Sequence, residues 1–325
     1  MTGPFGNDAP HASGTSCSPP ASAPARRFRT ARKSRKKRSF AIPILLQLIA
    51  TVGIAAILYP SGANWFAKLG YEDEFSAYVE SIETTPNAEL EAKLMAAREY
   101  NANLRGAVLQ DPYTDGSSDA DQTLANDPAY EAYKDVLSLA DNSTAPLGQV
   151  VLPEADINLP LYPGTEDETI SKGVGHLYGS SLPIGGPSTH SVLTSHSGLV
   201  NASLFTHLED AKVGNVFSIA AFGETRYYEV DNIQTILPHE TENLGIVEGE
   251  DRVTLFTCTP TGVNSHRLLV QGIRVDNPKS VGHGITGEMP SAGFPWWALI
   301  FIAGSAATAY LLFVPPRRTA TEDLR

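Results

Sequence analysis

Two long apolar runs bracket a region of mixed pattern. FAIPILLQLIATVGIAAILY, Phe40 to Tyr59, has twenty residues and no charge, enough for a helix that crosses a bilayer. FPWWALIFIAGSAATAYLLFV, Phe294 to Val314, has twenty-one, with Trp296 and Trp297 at one rim where interfacial anchors belong. From Ala63 to about Leu109 the pattern is helical. Leu90, Leu94, Ala97 and Leu104 recur at one- or two-turn intervals, and Thr85 with Pro86 reads as a cap and first turn. This predicts two helices that lift the next domain off the membrane. Gln110 to Pro128 (QDPYTDGSSDADQTLANDP) is rich in Asp, Ser and Gly and offers little to bury, so it reads as a long functional loop. A short helix is predicted over Ala129 to Ala140.

From Gly148 the signals become those of strands. VVLPEADINLPLY, HSVLTSH, VFSIAAF, TRYYEVDNIQTIL, DRVTLFTC and HRLLVQGIRV combine β-branched or aromatic residues with turns rich in Gly, Asn and Asp. At least six strands within about 130 residues, with hardly any helix, favour a closed or nearly closed barrel, because closure removes exposed sheet edges.

Charge fixes the expected orientation. The chain of 325 residues carries a formal net charge of -12, but RRFRTARKSRKKR, Arg26 to Arg38, holds nine basic residues and no acid. Arg317, Arg318 and Arg325 follow the second apolar run, while the interval between Ser39 and Pro316 holds 12 Lys and Arg against 33 Asp and Glu. Basic flanks stay in the cytoplasm, which puts both termini inside and residues 60–293 outside. The first run lacks a small-x-small cleavage site and follows a long basic tail, so it reads as an uncleaved anchor rather than a signal peptide. Beside a membrane span such a tail sets topology or meets anionic lipid, and nucleic acid is not an expected partner. The first 25 residues, rich in Pro, Ser and Ala, read as disordered.

This orientation separates the two cysteines, Cys17 inside and Cys258 outside, so they cannot pair within one chain. A lone thiol in an oxidising space is a buried inert residue, an intermolecular disulfide or a nucleophile. A nucleophilic thiol needs a base or cation nearby, and acyl transfer needs a group to hold the developing oxyanion. Nine residues after Cys258, across the turn TPTGVNS, Arg267 opens the next strand, so a hairpin can bring the two together. Of the external histidines His176, His190, His196, His207, His239, His266 and His283, His196 ends an apolar run as Cys258 does, whereas His190 begins it and belongs near the opposite mouth. His266 points to the face away from Arg267 and reads as a surface residue. One thiol and histidines without short ligand spacing make a poor zinc site, and no metal or cofactor is expected.

KGVGHLYGSSLPIGG (Lys172 to Gly186), HSVLTSHSGLVNASLF (His190 to Phe205) and TLFTCTPTGVNSHRLLVQGIRV (Thr254 to Val275) resemble, in the same order, the sortases, the membrane-bound cysteine transpeptidases of Gram-positive bacteria. A helical segment before the barrel, a second membrane helix after it and DPYTDG, with Asp111, Pro112 and Tyr113, are similar to class C, the pilus-assembling branch. The resemblance implies a mainly β fold, a closed sortase-type β-barrel of about eight strands with an N-terminal helical segment and lid loop, flanked by two transmembrane helices. The expected organisation is a basic cytoplasmic tail (1–39), a transmembrane helix (40–59), a helical pedestal (60–109), a lid loop (110–128), the catalytic barrel (129–277), a linker (278–293), a transmembrane helix (294–314) and a cytoplasmic tail (315–325).

The resemblance further implies that Cys258 attacks the Thr-Gly carbonyl of an LPxTG-type signal on a pilin, His196 acts as acid and base, and Arg267 holds the oxyanion or the substrate backbone. A lysine amine of a second pilin would then resolve the acyl-enzyme to an isopeptide bond. Asp111 would pair with Arg267, and Tyr113 would cover Cys258 until substrate displaces them. Tyr stands where the family often has Trp or Phe. Asp127-Pro128 is a rival step with no ring after it. The alternatives are a housekeeping sortase that joins proteins to peptidoglycan, a non-catalytic membrane-tethered adaptor that binds sorting signals, and a cysteine protease in which water resolves the acyl-enzyme.

Overall fold

The computed structural model describes residues 40–104, 109, 111–113, 127–138, 145–276 and 292–314. Contacts divide the chain into residues 1–42 and residues 43–325. Cys17, both basic tails, His283, most of the loop over 110–128 and most of the 278–293 linker lie outside the described residues.

Eight strands close into one barrel: β1 (Gly148–Leu152), β2 (Ile157–Pro163), β3 (Val174–His176), β4 (Thr189–Thr194), β5 (Val216–Ala221), β6 (Glu224–Ile236), β7 (Asp251–Thr259) and β8 (His266–Val275). Around the barrel the order is β1-β2-β3-β4-β7-β8-β6-β5, with β5 pairing back onto β1. Two pairs are parallel, β2 with β3 and β4 with β7. VVLPEADINLPLY, read as one strand, is two: Asp156 takes a left-handed conformation (φ 49°) and turns the chain back, so that Val150 faces Leu159.

Strand alternation sorts the side chains between two apolar clusters. Val253, Leu255 and Val270 lie in the main core with Leu161, Leu193, Phe217 and Ile219. Val192, Phe256 and Leu269 fall on the other face, where they join Leu177, Ile236, Leu244 and Leu109 in a second cluster. Residues i and i+2 of a strand share a face. Cys258 therefore follows Phe256, and Arg267 precedes Leu269, on the outer wall of the barrel.

Five helices complete the described fold: α1 (Ala41–Thr84), α2 (Asn87–Asn103), α3 (Pro128–Leu137), α4 (Asp167–Lys172) and α5 (Trp296–Phe313). Three boundaries differ from the sequence pattern. α1 runs unbroken from the first apolar run past Pro60, so span and pedestal are one helix, about 66 Å long at 1.5 Å per residue. Thr85 does not cap α2. Its hydroxyl donates back to Ser81 O at 2.6 Å and closes α1 instead. Asp127, the rival Asp-Pro position, caps α3 by accepting from Ala129 N at 2.9 Å.

The barrel lies alongside α1 rather than on top of it. Asn64 Oδ1 accepts from Ser203 N at 3.0 Å, Lys68 pairs with Asp156 at 3.6 Å, and the Tyr162 hydroxyl donates to Glu74. Phe75 and Tyr78 are buried further along the same helix.

The two apolar helices pack together. Gln47 Nε2 donates to Ser305 O at 3.1 Å, and Trp65 Nε1 donates to Gly293 O at 2.9 Å. A Cβ on Gly304 would lie 3.3 Å from Ile54 Cδ1, and one on Gly62 would lie 3.5 Å from the Trp297 ring. Small residues at such crossings let helix backbones approach closely within a bilayer. Both helices are long and apolar enough to cross a membrane.

Candidate active site

Cys258 is the one free cysteine among the described residues, and it is buried. It stands directly opposite Arg267 in the antiparallel β7–β8 pair. The short turn TPTGVNS produces this register, returning the chain so that Thr259 meets His266. His266 stays on the far side, partly exposed, with Ser265 Oγ 2.9 Å from its Nδ1.

His196 reaches the same place from β4. Its backbone ladder with β7 ends at Thr194, opposite Phe256. Side chains then continue the pairing. Thr257 Oγ1 donates to Ser195 O at 2.7 Å, and Ser197 Oγ donates to Cys258 O at 2.7 Å. The residues on either side of His196 are thus tied to the strand end that carries Cys258. The loop beyond turns back through Phe205 N donating to His196 O at 3.0 Å. Among the other histidines, His190 bonds Gly245 O and Thr254 Oγ1 further down the barrel wall, and His176 is fully buried against Tyr133. Burial lowers the His176 imidazole to about 4 and keeps it neutral.

Asp111 and Tyr113 close the cleft. Asp111 Oδ2 accepts from Arg267 Nε at 2.8 Å, both side chains at most 5% exposed. The same carboxylate accepts Tyr113 N at 3.0 Å through Oδ1, so one residue pins both the guanidinium and its own turn. The Tyr113 ring stacks on Phe256 (centroids 5.9 Å apart, 17° between planes) and lies 5.6 Å from the His196 ring. The Arg267 guanidinium carbon sits 5.3 Å from the centre of that ring. The Tyr113 hydroxyl is 2.6 Å from Thr194 Oγ1 and donates to Ser195 O at 2.6 Å. Burial raises the phenol well above its usual range. Pro112, between Asp111 and Tyr113, is partly exposed.

The thiol is protonated in this arrangement. Burial pushes Cys258 up to about 11, the Arg267 cation offsets part of the rise, and Asp111 adds to it. With the carboxylate neutralising the guanidinium, no group among the described residues fully offsets the effect of burial on the thiol.

Two features were not legible in the sequence. His196 Nε2 lies 2.9 Å from Asp167 Oδ1, on α4. A cleft of about 690 Å³ also opens along the wall, lined by Arg98, Asn101, Leu109, Thr189, His190 and Leu244. It is not at Cys258, but it shares Leu109 and Leu244 with the apolar cluster under Tyr113.

The Sortase domain family model matches residues 150–275. Sortase C-1 from Actinomyces oris is 43% identical, with a TM-score of 0.52, over 58% of this chain and 99% of that structure. The chain belongs to the sortase family. The barrel, the Asp111–Tyr113 turn over Arg267 and the flanking helices of this sortase are all present in one chain. The pilus-related sortase C of Group B Streptococcus is 36% identical, with a TM-score of 0.54, over 61% of this chain and 95% of that structure. Both structural neighbours are class C sortases. Among curated proteins, Sortase A of Streptococcus agalactiae is 28% identical over 116 residues, 35% of this chain and 47% of the relative. The chain spans about half the length of the curated relatives it matches.

Proposed function

We propose that this sortase is a membrane-anchored cysteine transpeptidase that polymerises pilins. The observation that carries the reading is the half-buried ring of Tyr113, around which His196, Arg267 and the face of Cys258 converge, with Asp111 occupying the guanidinium. A cleft guarded by its own chain, in a protein similar to a pilus-related sortase C, fits an enzyme that waits for a protein substrate.

Substrate entry displaces Asp111 and Tyr113, removes an anion from beside the sulfur and frees Arg267. Cys258 then attacks the Thr-Gly carbonyl of an LPxTG-type signal as its thiol proton passes to His196. Arg267 stabilises the oxyanion through its fork of donors. As the tetrahedral adduct collapses, the C–N bond breaks, and His196 gives its proton to the departing glycine amine. A lysine amine of a second pilin attacks the thioester. His196 accepts the amine proton, the C–S bond breaks, and an isopeptide bond remains.

The basic flanks support placing both termini in the cytoplasm and residues 60–293 outside, with the two apolar helices as spans. In that orientation Cys17 and Cys258 face opposite sides of the bilayer.

Full-length protein in membranes, mixed with a pilin bearing the signal, should yield a ladder of polymers by mass. The Cys258→Ala variant should yield none while keeping the barrel folded by circular dichroism. Polymer from that variant would refute the reading. Transfer to a cell-wall peptide amine, with a pilin lysine refused, would favour the housekeeping alternative.

A further inference from the structure

The pairing of His196 with Asp167 has no counterpart in the acid–base scheme above, and its surroundings are built rather than incidental. Asp167 opens α4, and this short helix is fastened to the His196 strand end at three points. Ser195 Oγ donates to Gly173 O at 2.6 Å and to Ile170 O at 3.2 Å, and His196 N approaches Ile170 O at 3.5 Å. Gly173 ends α4 close to β2. A Cβ there would lie 2.7 Å from Pro160 O and 2.6 Å from the Tyr162 ring, so the helix is seated directly against the barrel. The backbone of α4 is therefore held where its first carboxylate meets the imidazole. The Asp167 side chain itself is 85% exposed while that of His196 is 21% exposed, so the contact sits at the solvent edge of the cleft.

An ionised carboxylate only accepts hydrogen bonds. The nitrogen facing Asp167 must therefore carry the proton, which leaves Nδ1 of neutral His196 as the lone-pair nitrogen. We propose that Asp167 is a positioning residue for the transpeptidation reaction. It fixes the Nε2–H tautomer and ring orientation of His196, so that Nδ1 is the atom that gives and takes the proton. When Nδ1 is protonated, the imidazolium donates at both nitrogens and the carboxylate balances its charge. This deepens the reading of His196 as acid and base and rests on it. The partner lies in solvent, so its effect on rate is modest, about two- to five-fold, the range expected of an exposed ion pair.

The test has two arms on the full-length protein in detergent micelles. In the first, ¹⁵N-histidine labelling reads the tautomer of His196, assigned by its loss in His196→Gln. The native protein should hold the Nε2–H form, Asp167→Asn should largely keep it through the amide oxygen, and Asp167→Ala should mix the two forms. In the second, acyl transfer from a signal peptide to an amine is followed in an Asp111→Ala background. There Asp167→Ala should lower kcat about two- to five-fold with KM unchanged, and Asp167→Glu should restore most of it. An unchanged tautomer ratio in Asp167→Ala, or an unchanged kcat, overturns the proposal. An inactive parent with an intact Nε2–H tautomer would instead strike at the enzymatic reading, because the first arm needs no turnover.

Discussion

At the residue scale the decisive quantity is the charge state of one sulfur. Cys258 is protonated because burial and Asp111 both oppose the thiolate, and Arg267 is already engaged by that same carboxylate. The sign of any perturbation follows. Replacing Asp111 and Tyr113 by Ala removes an anion and a cover, so the thiol falls from about 11 and the thiolate fraction at neutral pH rises. Each unit of fall gives about tenfold more thiolate below the midpoint. Alkylation of Cys258 at pH 7 should accelerate by at least about tenfold in the double variant, and its pH midpoint should move down. Equal rates in native and variant protein would show that the pair does not control the sulfur. The buried ion pair is not itself a source of stability, since desolvation offsets much of its Coulomb energy, and a contact of that kind can open.

At the element scale, packing between helices matters as much as the barrel. Gln47 is the polar residue that crosses from α1 to α5, and an interhelical hydrogen bond in a bilayer contributes about 0.5–2 kcal/mol. Spin labels on the outward-facing positions Leu48 and Ile302 should report a narrow distance distribution in lipid. Gln47→Leu should broaden it, and an unchanged distribution would mean that the apolar contacts alone hold the pair. This element level also shows where sequence reading succeeds. β7 and β8 were legible because TLFTC and HRLLVQGIRV are runs rich in apolar and β-branched residues on either side of a short turn, and that turn is tight enough to bring Cys258 opposite Arg267. β1 and β2 were merged, because the left-handed turn at Asp156 carries no Gly or Asn to announce it. Pro60 lies inside α1 without ending it, and the transmembrane and pedestal segments, read as separate units, share one helix. Thr85 looked like a cap by composition, yet its hydroxyl is used by the preceding helix.

At the scale of the whole molecule, contacts between distant segments are what composition cannot announce. Asp111 and Arg267 are 156 positions apart, and only the family resemblance joined them in advance. Asp167 and His196, 29 apart, lie on elements with no shared pattern, and nothing in the sequence pointed to them. The site lies at the strand ends on the outer wall, because Cys258 and Arg267 share the parity of Phe256 and Leu269. The barrel runs along α1 from Asn64 onward, only five residues past the first apolar run, so a spanning α1 would hold the cleft-bearing domain beside the membrane rather than above it.

The most direct measurement is the mass of the enzyme after incubation with an LPxTG peptide and no amine acceptor, using full-length Asp111→Ala/Tyr113→Ala protein. A hydroxylamine-sensitive adduct of the peptide up to its Thr is expected, mapped to Cys258, with release of the glycine-bearing fragment. Peptide cleavage without an adduct on Cys258, or an adduct on any other residue, would contradict it.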